Sequence, residues 1–154
     1  MTEPALYRRL LVATGGAPHS LVAIERAATL ADHFGATLHV VTIILQGSRG
    51  LENVTVAFGG SGALNAQTFE ENHERFEAHL RETARALRAR GLQVEEHLLT
   101  ALRPADAILA VANEADIDLI VLGRRHKTAW SAALAGSVSD MVSHASPVDV
   151  LIVR

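Results

Sequence analysis

Five short apolar runs set the terms for this chain. They cover residues 10–14, 37–44, 93–99, 119–122 and 148–153. Each is rich in Val, Ile, Leu or Thr and short enough for one buried strand. Between them lie stretches with helical spacing. The first helix leads in through Pro18, His19 and Ser20 and carries Leu21, Ile24, Ala28, Ala31 and Phe34 on one face, with Gly35 to stop it. The second spans about residues 66–90, with Phe69, Phe76, Leu80 and Leu87 as its apolar stripe and Gly91 at its end. Its remaining charges read as a solvated face. The third begins at Pro104 and carries Ile108, Val111, Ala112 and Ala115. The fourth turns Val138, Met141, Val142 and Ala145 inward. Strands alternating with helices predict right-handed β-α-β units and an α/β fold on a parallel sheet. The third run alternates Gln93, Glu95 and His97 with Val94, Glu96 and Leu98, which suits a sheet edge.

Ligands in such sheets bind beyond the C-terminal strand ends, where the strand order reverses. Two glycine turns follow strands here, Gly15-Gly16 and Gly123. If the two strands are neighbours, both turns face one cleft. Another glycine, Gly136, precedes Ser137 at the start of the fourth helix. Unpaired N–H groups and the helix dipole favour an anion there, and Ser137 adds a hydroxyl. Arg124, Arg125 and Lys127 bring positive charge nearby. Trp130 reads as a packing residue of the same loop. Residues 46–65, with Gly59-Gly60-Ser61-Gly62, read as a long flexible loop.

Composition narrows the function. Hydrophobic residues make up 49% of the 154-residue chain, charged residues 20%, and the net charge is −3. That is a folded domain without the basic excess of a nucleic-acid or anionic-membrane binder. With no cysteine, disulfides and thiolate metal sites are excluded. No run is long enough to span a bilayer and no signal peptide stands at the start, so a cytoplasmic protein is expected. The histidines give no metal set. His73 and Glu77 share a helical face, but a structural zinc needs more ligands. Ser20, Ser139 and His144 suggest no triad. Nothing argues for an efficient enzyme.

LLVATGGAPHSLVAIERAATLA, ADIDLIVLG and GSVSDMVSHASPVDVLIV together resemble the universal stress protein family over essentially the whole chain. The resemblance implies a single Rossmann-like domain over residues 1–154, five parallel strands in the order 3-2-1-4-5, and helices on both faces. ATP-binding members of that family carry glycine, two residues, glycine, nine residues, glycine, then Ser or Thr. Gly123 opens that motif here, and Gly136-Ser137 closes it at the same spacing. Two positions depart: His126 replaces the second glycine, and Gly15 replaces an acidic residue after the first strand. Carried over by position, Thr14, Gly15 and Ile43 would flank base and ribose. Gly123, Arg124, His126, Gly136, Ser137, Val138 and Ser139 would surround the phosphates. The implied ligand is ATP, with or without Mg, and any hydrolysis would be slow. The alternative is an interaction module without nucleotide. The resemblance further implies a homodimer through the last strand, residues 148–153, whose exposed edge would pair with a second copy.

Overall fold

β1 (Arg9–Ala13) lies at the centre of the sheet, and its sequence explains why. Leu10, Leu11 and Val12 are all fully buried, so both faces of this strand must be covered. β2 (Thr37–Leu45) and β4 (Leu119–Gly123) flank it and are buried in the same way. β3 (Val94–Ala101) and β5 (Asp149–Val153) form the two edges. The computed structural model describes residues 5–16, 18–45, 66–124 and 138–154. Its five strands are all parallel, in the order β3-β2-β1-β4-β5. The strand order and direction expected from the sequence are therefore observed, including the polar third strand at an edge.

Side chains alternate along a strand, so β1 feeds two cores. Leu10 and Val12 pack with α1 (Pro18–Phe34) and α2 (Ala66–Ala89). Leu11 packs on the other face with α3 (Pro104–Glu114) and α4 (Val138–Ala145). Gly35 follows α1 at φ +64°, a left-handed helix stop that glycine adopts without strain. The end of the β1–β4 pair away from the helix starts is held by Asp118. Its carboxylate accepts the Arg8 N–H at 2.9 Å and the Arg9 N–H at 3.2 Å, and its own N–H donates to Arg9 O at 3.0 Å.

Two helix faces differ from the sequence expectation. Leu21 is 49% exposed, whereas Ser20 is buried. The inward line of α1 runs through Ser20, Ala23, Ile24, Ala27, Ala28 and Ala31. Leu21 stands one residue, or about 100°, beyond Ser20, at the margin of that stripe. In α4, Met141 and Ala145 face solvent, and the buried residues are Ser139 and Val142. A helix of two turns offers its core one narrow line at i, i+3, and the more polar residue of the first turn occupies it. In α2, Leu80, Ala84 and Leu87 are buried and Phe76 is half-buried. The side chain of Phe69 and the loop 46–65 lie outside what is described.

These faces set a contrast in stability. Ile108→Ala in α3 removes a side chain that is 1% exposed and should cost about 2–5 kcal/mol. Leu21→Ala should change stability by less than about 0.5 kcal/mol. Urea unfolding of both variants measures the two. A large loss in Leu21→Ala would return that side chain to the core.

Candidate functional site

The strand order reverses between β1 and β4, and their C-terminal ends lie side by side. Leu10 pairs with Leu119 and Val12 with Val121; the same register continued sets Thr14 beside Gly123. The cleft that a doubly wound sheet opens at such a reversal therefore begins at these two residues.

Thr14 is 4% exposed and all its polar groups are engaged. Its N–H donates to Val41 O at 2.9 Å, and its carbonyl accepts the Thr42 hydroxyl at 2.8 Å. The hydroxyl oxygen Oγ1 accepts the Gly16 N–H at 3.3 Å and bonds Ser20 Oγ at 3.3 Å. It also meets Nε2 of His79, on α2, at 3.0 Å. Gly15 is half-buried and Gly16 exposed, the latter at φ +87°. So the turn from β1 into α1 is tied to β2, to α1 and to α2 through one threonine.

Gly123 is required by a close approach. A Cβ placed there would collide with the His19 carbonyl and would lie 2.6 Å from its carbon and 3.2 Å from Ser20 N. The first turn of α1 thus rests directly on the end of β4. Arg124 follows, with its N–H on Val153 O at 2.8 Å and its side chain in solvent. Ile43 is buried near the C-terminal end of β2 and packs in the core with α3. Val138 and Ser139 open α4, the first half-buried and the second buried. Thr14, Gly15 and Gly123 come together at the switch point, with Arg124 directly after. His126, Gly136 and Ser137, together with Arg125, Lys127 and Trp130, lie outside the described residues.

His79, His39 and His97 acquire partners that the sequence reading did not assign. His79 lies at the i+3 position from Phe76 and next to Leu80, a spacing that sets it beside the apolar stripe but outside the residues the sequence reading assigns to it. Burial holds its pKa below the ordinary 6.5, against a smaller opposite pull from Glu82. His39 on β2 and His97 on β3 share a hydrogen bond, Nδ1 to Nε2, of 2.9 Å. Burial lowers both pKa values; His97 lowers that of His39 further, while Glu95 pulls both upward and Glu114 pulls that of His97 the same way. Only strand pairing could reveal this contact, since the two residues are 58 positions apart. Among the described residues, no group of three or more His, Asp or Glu is placed to hold a metal ion.

Comparison with known proteins adds a family. The model of the universal stress protein family matches residues 6–154. A universal stress protein of Thermus aquaticus is 33% identical over 150 residues, covering 97% of this chain and 100% of that one. One from Mycobacterium tuberculosis is 30% identical over 150 residues, covering 96% and 97%. A solved universal stress protein in complex with cAMP is 29% identical, with a TM-score of 0.73, covering 96% of this chain and 97% of that one.

The lowered histidine pKa values fix a pH dependence. In the unfolded chain these groups take up protons near pH 6.5, and in the fold they do so only at lower pH. Between those values the unfolded state binds more protons, so stability rises with pH. Stability should be full above about pH 6.5 and fall as pH drops through the window below it. Urea midpoints at several pH values between 5 and 8 measure this. A midpoint that rises on acidification would overturn it.

Proposed function

The chain belongs to the universal stress protein family, and we propose that it acts as a small nucleotide-binding regulatory module of the stress response. The observation that carries this reading is the meeting of Thr14, Gly15 and Gly123 at the strand-order reversal. A relative that shares 29% identity and nearly the whole fold is a complex with cAMP, which fits an adenine nucleotide in the same cleft. ATP, with or without Mg, is the leading ligand. Thr14, Gly15 and Ile43 flank base and ribose in this proposal. Gly123, Arg124, His126, Gly136, Ser137, Val138 and Ser139 surround the phosphates.

The second reading is a dimeric interaction module without nucleotide. Gly15 and His126 favour it. Gly15 offers no carboxylate to a ribose or metal, and a side chain at position 126, where the family motif has glycine, would obstruct a close approach of phosphate to the backbone. Both readings share the assembly: β5 is an edge strand whose one charge is Asp149, and a second copy paired there would satisfy its free backbone groups. The protein is proposed to work in the cytoplasm; among the described residues, no helix is long and apolar enough to cross a membrane.

Calorimetric titration with cAMP and with ATP, with and without Mg, tests the ligand. Ser137→Ala should weaken binding by about 0.5–1.5 kcal/mol, the worth of one hydrogen bond. His126→Gly should strengthen it by removing the obstructing side chain. No binding in any of the three proteins would leave the second reading standing. Sedimentation velocity at micromolar concentration tests the assembly. The expected species has about twice the chain mass of 16.4 kDa, and a species at the chain mass would overturn the dimer.

A further inference from the structure

His79 stands in an otherwise apolar stripe. The next residue, Leu80, and then Ala84 and Leu87 are core residues under β1 and β2. The imidazole reaches past that core to the C-terminal end of β1, where Nε2 lies 3.0 Å from Thr14 Oγ1. The same ring covers Gly16. A Cβ built on Gly16 would sit 3.6 Å from His79 Cε1 and 3.7 Å from Nδ1, which is van der Waals contact. His79 thus touches both Thr14 and Gly16, the two residues on which the β1–α1 turn is built. Gly16 has no side chain and a left-handed φ of +87°. Thr14 is held to β2 by its backbone, and it reaches Gly16, Ser20 and His79 through a single hydroxyl.

That hydroxyl has one proton and two lone pairs. The Gly16 N–H occupies one lone pair. Ser20 and His79 share the other lone pair and the proton, so the three partners saturate it. Removing His79 leaves one hydrogen-bonding position of a buried hydroxyl unfilled and takes the ring off Gly16. The effect does not stop at the turn. Ser20 belongs to the first turn of α1, and the neighbouring His19 carbonyl rests on Gly123. A line of direct contacts therefore runs from α2 through Thr14 and Ser20 to the end of β4.

We propose that His79 is a positioning residue of the nucleotide site: its hydrogen bond to Thr14 and its cover over Gly16 hold the β1–α1 turn, and through it the Gly123 end of β4, in the shape that receives the ligand. The inference rests on the nucleotide-binding reading. An apolar side chain would suit the helix stripe as well as the imidazole does, so the hydrogen bond is what singles the histidine out. Glutamine supplies an amide N–H at about the reach of imidazole Nε2, whereas leucine supplies only bulk.

The wild type, His79→Gln and His79→Leu decide the matter in three measurements. Each protein is titrated calorimetrically with cAMP and ATP, and each is unfolded in urea. His79→Gln should bind within about twofold of wild type, and His79→Leu about three- to tenfold more weakly, the effect of one hydrogen bond. Urea midpoints should not follow that order, because leucine regains apolar burial. In a third measurement, proton–nitrogen spectra of the wild-type His79 ring should show its Nε2 resonance shifting on nucleotide addition. If the wild type binds and His79→Leu binds as tightly, or if both variants lose affinity equally, the inference is overturned. An unmoved ring resonance in a wild type that binds overturns it as well, whether or not the leucine variant folds. A wild type that binds neither nucleotide overturns the underlying reading instead, and this inference falls with it.

Discussion

The pairing of β1 with β4 is the constraint from which the rest of the structure follows. The chain places β2 and β3 on one side of β1, then crosses back to lay β4 on the other. Each end of that pair is secured differently. At one end the Asp118 carboxylate gathers the N–H groups of Arg8 and Arg9, a charge-assisted contact that ties the start of β4 to the start of β1. At the other, the missing Cβ of Gly123 lets the first turn of α1 settle onto β4. The strand pair that makes the order reversal is thus held at both ends.

Polar groups buried at the cleft floor are a cost that must be offset in place. Thr14 does so completely, through Val41, Thr42, Gly16, Ser20 and His79. Such a network fixes the backbone of a turn that two glycines would otherwise leave loose. Rigidity there has a functional meaning, because a site built on a fixed turn loses less conformational entropy when a ligand arrives.

The two sheet edges are built on different principles. β3 carries exposed Glu95 and Glu96, and Glu96 pairs with Arg88 of α2 at 2.8 Å. Charge and an overlying helix blunt that edge. Its inner side is joined to β2 by the His39–His97 bond. The ring centroids are 5.2 Å apart with the planes 21° from parallel, and the nitrogens are 2.9 Å apart; the two imidazoles therefore meet nearly in line, edge to edge. β5 has only Asp149, which accepts the Tyr7 hydroxyl at 2.8 Å, and then four apolar residues. That difference is why β5 is the edge proposed to meet a second copy.

The sequence by itself determined the five strands, the parallel α/β architecture and the two glycine turns after β1 and β4. Periodicity and punctuation are local properties, and alternation of strand and helix leaves few ways to bury every apolar face. The resemblance to the family added the strand order. Tertiary structure alone decided which side chains meet. It turned Leu21 and Met141 outward and Ser20 and Ser139 inward, because a helix's rotation about its axis is set by the sheet beneath it. It brought His79 to Thr14 across 65 positions and His39 to His97 across 58. It also changed the reason for Gly123, whose missing side chain makes room for the backbone of α1. Contacts between residues far apart in the chain depend on register and on the packing angles between layers. No local pattern encodes those, and the polar contacts of Thr14 at the end of β1 belong to them.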